Sequence, residues 1–196
     1  MNQLLLSTTK HFFAQCVFMN SIHYKAYDRL EKKQNFYRNI TAWISGSTLI
    51  LIILEVVSFH AFSDKETINT ILSVLSYVGL ILTAVSLLFT MFHKEDISEI
   101  KINHRLAAET YKELRDSYLL LIEEIASNDN NLSELRNKSR EYQKQYSNIG
   151  KYSPTTTYSD YQATQKGLGL DGNSNEEFTW SDEEINRFLP KKLRVS

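Results

Sequence analysis

The chain is poor in the residues that most site chemistry needs. Cys16 is its single cysteine, so no internal disulfide can form and no thiolate metal cluster can be built. The lone thiol fits soluble parts that sit in a reducing compartment. There is no glycine-rich phosphate loop, no nucleophile elbow and no Cys or His pair at metal-ligand spacing. The five histidines, His11, His23, His60, His93 and His104, are scattered; His93 and His104 read as solvated or satisfied helix residues rather than metal ligands. No acid–base or nucleophilic set converges, so the sequence offers no enzyme, and it implies no cofactor and no metal. A formal net charge of −1 gives no reason to expect nucleic acid as a partner. No basic segment precedes the short apolar run at Leu4, Leu5 and Leu6, so a cleaved signal peptide is not expected. The most telling absence lies in residues 68–92, 25 positions without one Asp, Glu, Lys, Arg or His.

As a helix that run is about 37 Å long at about 1.5 Å per residue. A bilayer core is about 30 Å thick and is crossed by about 20 apolar residues. A second run, residues 40–59, carries a single charge, Glu55. The whole chain is not membrane-like, with 23% charged residues and a mean hydropathy of −0.32, so its apolar content is concentrated in this one region. The sequence therefore predicts two transmembrane spans, about 40–60 and 68–92, joined by a very short turn. Lys25, Arg29, Lys32, Lys33 and Arg38 precede the first span, and Lys94, Lys101, Arg105, Lys112 and Arg115 follow the second. The connection has only Lys65, between Asp64 and Glu66. That bias puts both termini in the cytoplasm.

The rest reads as helix. Residues 11–39 hold no Pro or Gly, and Phe12, Phe13, Cys16, Met19, Ile22, Ala26, Leu30 and Phe36 recur at mostly helical spacing. Nothing stops this helix before Trp43, so it should run into the first span. Tyr37 and Trp43 are expected at the membrane interface. Beyond the second span, Ile97, Ile100, His104, Ala107, Tyr111, Leu114, Tyr118, Leu121 and Ile125 alternate by three and four, a coiled-coil-like seam. His104 and Ala107 weaken it locally, and the polar cluster at 127–131 ends it. A further helix is expected over 132–146, with Leu132, Leu135, Tyr142 and Tyr146 resuming the seam. Composition shifts near Ser147 toward Gly, Ser, Thr and Asn. Residues 160–166 suit two helical turns ended by Gly167, and Ser181 with Glu184 reads as a capping box for a short helix stopped by Pro190. The tail has too few apolar residues for a core of its own; it docks on the helices or stays free. The expected organisation is an all-α membrane protein: an amphipathic helix over 1–39, the hairpin over 40–92, cytoplasmic coiled-coil-like helices over 93–147 and a tail over 148–196.

The candidate functional residues lie in the spans. Thr41, Ser45, Thr48, Ile52, Glu55 and Ser58 make a mostly polar or small stripe on the first, and Ser76, Gly79, Thr83, Ser86 and Thr90 make one on the second. A carboxylate inside a span costs about 2.5–3.5 kcal/mol on insertion scales, less toward the interface, so Glu55 should face other helices or water. Two readings stay open. Small residues let membrane helices pack closely, with hydroxyls bonding across the contact. Alternatively, an oligomer turns a stripe toward a central aqueous path, where Glu55 supplies a carboxylate ring that favours cations. Arg29, Lys32, Lys33 and Arg38 are candidate contacts for anionic headgroups, or merely set topology.

The layout resembles a known family. The basic helix SIHYKAYDRLEKKQNFYRNI, a two-span hairpin and the following helix INHRLAAETYKELRDSYLLLIEE are similar to the SLATT domain, a two-transmembrane effector module of bacterial nucleotide-sensing conflict systems. The segments SPTTTYSDYQATQKGLGL and FTWSDEEINRFLP resemble the tail of one branch, so the likeness covers residues 21–189. It implies a homo-oligomeric effector of antiviral defence that permeabilises or depolarises the inner membrane when a nucleotide second messenger, or its producing enzyme, signals infection. It transfers no catalytic residue. The alternative is a membrane anchor without a pore, which recruits a soluble partner through its cytoplasmic helices and the charged tail residues Glu176, Glu177, Asp182, Glu183, Glu184, Lys191, Lys192 and Arg194.

Overall fold

The computed structural model describes residues 3–61, 65–93, 95–127, 131–170 and 180–194. It is all helix, with no strand among the described residues. The elements are α1 (Gln3–Ala61), α2 (Lys65–His93), α3 (Glu95–Ser127), α4 (Leu132–Tyr152), α5 (Tyr158–Gly167), α6 (Asp182–Phe188) and a 3-10 turn at Lys191–Leu193. The expected continuity of the first helix holds: α1 runs unbroken for 59 residues and starts earlier than its apolar pattern suggested. Contacts divide the chain into two units, Met1–Arg29 with Ile100–Ser196, and Leu30–Glu99.

In the first unit three long helices share one core. The stripe on α3 buries His104, Ala107, Tyr111, Leu114, Tyr118, Leu121 and Ile125. Ala108 and Ile122 are buried as well, which widens the stripe beyond a two-position seam. The reason is that α3 packs on two neighbours. Phe12 of α1 stacks on Tyr118 at 5.9 Å and meets Tyr146 of α4 edge-on at 5.5 Å, while Tyr118 meets Tyr142 of α4 at 5.5 Å. Each fully buried large apolar side chain here contributes about 1.5–3 kcal/mol. Two seam expectations fail at the edges: Ile100 is 42% exposed and Leu132 is exposed too. The α4 face runs instead through Leu135, the buried Ser139, Tyr142, Tyr146 and Ile149.

Helix α4 also extends past the composition break. It continues through Asn148 and Gly150 to Tyr152, so the shift at 147 does not mark its end. The stop comes from Pro154, which forces the preceding residue out of the helical region. Ser153 accordingly is extended, and both its N–H and its hydroxyl donate to Ile149 O. At the other end the Asn131 side chain caps the helix by accepting from Ser133 N–H at 3.0 Å. The cluster residues 128–130 lie outside the described residues.

The tail docks. Helix α5 begins at a capping box between Thr157 and Asp160 and ends in a Schellman motif. There Gly169 takes φ +66°, Leu170 N–H bonds Gln165 O and Gly169 N–H bonds Lys166 O. Gly167 is thus the last helical residue, and the left-handed position belongs to Gly169. The capping box read between Ser181 and Glu184 is present at the start of α6. Leu189, 1% exposed, joins the main core, and Leu193 O accepts from Lys10 Nζ at 3.0 Å. Trp180 sits edge-on to His11 and Phe18, at 5.5 and 5.8 Å.

The second unit is the hairpin. Its two helices are long and apolar enough to cross a membrane, and their apolar windows are not buried within the chain. On α1 the half-buried positions include Tyr37, Thr41, Ile44, Thr48, Leu51 and Glu55; on α2 they are Leu72, Leu75, Gly79, Leu82, Ser86 and Phe89. Both sets alternate by three and four, the spacing of helices that cross at a small angle. Most of the remaining described side chains face outward, Leu80, Ile81, Leu87 and Met91 among them. Such a surface is unsuited to water and suited to acyl chains. The connecting residues 62–64 and the side chain of Ser58 lie outside the described residues.

Candidate functional site

The hairpin carries the candidate site, and one bond fixes its chemistry. Ser76 Oγ donates to Glu55 Oε1 at 2.8 Å, joining the single acid of the first span to the second helix. A carboxylate accepts two or more hydrogen bonds at each oxygen, so Oε2 keeps its capacity for another helix, water or a cation.

The two sequence stripes divide. Thr41, Thr48, Glu55, Gly79 and Ser86 lie half-buried on the inter-helix face. Ser45, Ile52, Ser76, Thr83 and Thr90 are exposed beside it. The exposed set forms one flank: Ser45 and Thr90 line the same groove, Ile52 lies one heptad from Ser45, and Thr83 and Ser76 lie one and two heptads from Thr90. Most hydroxyls do not bond across the contact. Thr41 bonds Tyr37 O at 3.0 Å, Thr48 bonds Ile44 O at 2.9 Å, Thr83 bonds Gly79 O at 2.8 Å and Thr90 bonds Ser86 O at 2.8 Å, each on its own helix. This is how a hydroxyl is satisfied in lipid without a partner helix. Of the described stripe residues, Ser76 and Glu55 make the cross-helix bond expected of a packing stripe.

A second polar constellation sits inside the first unit, and the sequence reading missed it. His23 of α1 and His104 of α3 are each 1% exposed, with their Nδ1 atoms 2.9 Å apart. One ring must donate and the other accept, so a neutral pair holds opposite tautomers. The His23 ring stacks on Tyr111 at 5.7 Å, and its Nε2 has no partner among the described residues. Burial and the neighbouring His104 push the His23 pKa down to about 4, against the opposing pull of Asp160. Burial lowers His104 too.

Nearby Arg29 grips Asp160 with two bonds, Nε to Oδ1 at 2.8 Å and an Nη to Oδ2 at 3.0 Å. Asp160 is 2% exposed and also accepts from Thr157 N–H and Oγ1, at 2.9 and 2.7 Å. Burial alone would raise its pKa; Arg29 and Thr157 outweigh that and hold it below the usual carboxylate range. Arg29 is thus committed to α5, whereas Lys32, Lys33 and Arg38 lie in the hairpin unit, all exposed. Lys33 Nζ lies 5.7 Å over the Tyr37 ring. The signal for the histidine pair was in the sequence: both interrupt otherwise apolar helix faces.

Cys16 is fully buried and its pKa is raised to about 12, so it is an inert core residue. Among the described residues no set of three His, Cys, Asp or Glu is placed to hold a metal ion.

The family described as SMODS and SLOG-associating 2TM effector domain family 4 matches residues 5–184. The chain belongs to this SLATT family. The assignment agrees with the two membrane-length helices, and for this SLATT chain the matched stretch runs on through α5 to the start of α6. By that description the family is an effector domain with two transmembrane segments. No curated protein and no solved structure matches the chain.

Proposed function

We propose that this SLATT chain is a membrane effector of bacterial antiviral defence. Several copies assemble in the inner membrane with both termini in the cytoplasm, and on a nucleotide-type signal their hairpins open a path that depolarises the cell. It carries no catalysis of its own. The observation that supports this reading is the Glu55–Ser76 bond in a helix pair long enough to cross a bilayer. A two-helix hairpin cannot enclose a channel, so a lumen needs several copies. Ser76 and Thr83, exposed beside Glu55, are the polar side such a lumen would use. The signal, a nucleotide second messenger or the enzyme that makes it, acts on the unit built from α3, α4 and the tail. It must bind the open arrangement better than the closed one, or nothing shifts.

Induced cells carrying a potential-sensitive dye test this. The wild-type chain collapses the membrane potential once the signal is raised. Glu55→Gln alters cation selectivity, and Glu55→Gln with Thr83→Leu blocks depolarisation at unchanged expression. One observation favours an anchor that recruits a soluble partner: most hydroxyls on the stripes are already satisfied by their own helices. An anchor leaves the potential unchanged in wild type and variant alike.

A further inference from the structure

The hairpin unit has a groove of about 430 Å³ between α1 and α2, lined on α1 by residues from Gln34 to Ser45 and on α2 by Phe89 and Thr90. It exists because α1 places Thr41, Ala42 and Ser45 opposite Phe89, and these small side chains do not fill the space between the helices. Tyr37 meets Phe89 edge-on at 6.0 Å and closes one wall. The groove is chemically graded. Arg38 and Gln34 stand at one end, and Ala42 and Ser45 lie deeper along the apolar helix. From Arg38 to Ser45 is about 10 Å at about 1.5 Å per residue. The walls demand few hydrogen bonds, because Thr41 and Thr90 are bonded to Tyr37 O and Ser86 O. Arg38 has no ion-pair partner among the described residues, and Lys33 adds a second cation beside Tyr37.

We infer that this groove is a binding site for an anionic phospholipid, with the phosphate at Arg38 and the glycerol and first methylenes against Ala42, Ser45 and Phe89. Guanidinium forms paired bonds with phosphate oxygens, and an amphiphile matches both ends of the groove. A free phosphate would use the charged end and leave the apolar depth empty. The site serves the hairpin whether or not it conducts, so its failure and that of the proposed effector role are separable.

The test is native mass spectrometry of the full-length chain released from micelles containing phosphatidylglycerol or phosphatidylcholine, with melting in the same micelles followed in parallel. Phosphatidylglycerol should be retained at least about fivefold better than phosphatidylcholine, the scale set by one basic residue near a membrane surface. Arg38→Gln should remove that preference and Arg38→Lys keep it. Ser45→Leu, which fills the groove without touching charge, should weaken retention of both lipids while leaving the melting temperature within about 2 °C of wild type. Inorganic phosphate should not compete. Equal retention of the two lipids, an undiminished preference in Arg38→Gln, or displacement by phosphate would overturn the assignment. So would efficient disulfide cross-linking between copies through Ser45→Cys, which would give the groove to a second chain.

Discussion

Arg29 and Asp160, 131 positions apart, form a two-bond ion pair that ties the short helix α5 to α1. Asp160 also caps α5 through Thr157, so one buried carboxylate closes a local turn and a long-range contact. Removing only the cation leaves a buried charge short of its strongest partner. Arg29→Met should therefore cost about 3 kcal/mol, the lower end for breaking a buried pair, because Arg29 is itself partly exposed. Asp160→Leu on that background should recover part of the loss. Chemical denaturation of the detergent-solubilised chain measures both, and an Arg29→Met variant as stable as wild type would contradict the assignment.

The histidine pair makes stability depend on pH in a stated direction. The folded pKa values of His23 and His104 lie below the ordinary histidine value, so the folded chain binds fewer protons than the unfolded one. Their contribution is complete above about pH 6.5 and is lost as pH falls toward about 4, where His23 itself titrates. For His23 the full loss is on the order of 3 kcal/mol. Asp160, held low, adds its own loss only as pH falls below the ordinary carboxylate range. A melting series from pH 7.5 to 4.5 should slope downward with acid, and His23→Gln should flatten that slope. A flat wild-type profile would contradict the buried neutral pair.

Tyr118 and Leu189 are both almost wholly buried and should respond oppositely to loss of atoms. The Tyr118 hydroxyl has no hydrogen-bond partner among the described residues, so it is desolvated without return. Tyr118→Phe should leave stability unchanged or raise it by about 1 kcal/mol. Leu189→Ala removes core volume and should cost about 2–5 kcal/mol. It should also expose the tail to protease, as expected if α6 is part of the core.

The regular part of this fold was legible because helices announce themselves. The uninterrupted pattern through Ala26 and Leu30 correctly carried α1 toward the membrane, and the stripe from His104 to Ile125 was visible as a face. Both capping signals in the tail, at Thr157 and at Ser181, are local chemistry, although only the second was read. What spacing does not give is the partner. His23 and His104 lie 81 residues apart and each looks like a flaw in its own stripe, yet their Nδ1 atoms bond one another. The docking of the tail was undecidable for the same reason: few apolar residues, each useful only against a surface folded elsewhere. Composition also misled at Asn148 and Gly150, because a helix already running in a packed core tolerates residues that would not start one. In the hairpin the stripes were legible as sets, but their split into a covered face and an open flank required the second helix. The acidic residues Glu176 and Glu177, candidates for docking a partner, lie outside the described residues.

Glu55 and Ser76 should be energetically coupled. A double-mutant cycle with Glu55→Gln and Ser76→Ala, read by unfolding in micelles, should give an interaction of about 1 kcal/mol, the scale of polar contacts between membrane helices. No coupling would mean that the two helices meet in another register.

An effector role of this kind requires the hairpin to lie in lipid. Membranes from cells expressing the full-length chain, washed at alkaline pH and high salt and then spun at high speed, test that directly. The chain should stay wholly in the pellet and be released only by detergent. Recovery of a folded, monodisperse chain in the detergent-free supernatant would contradict it.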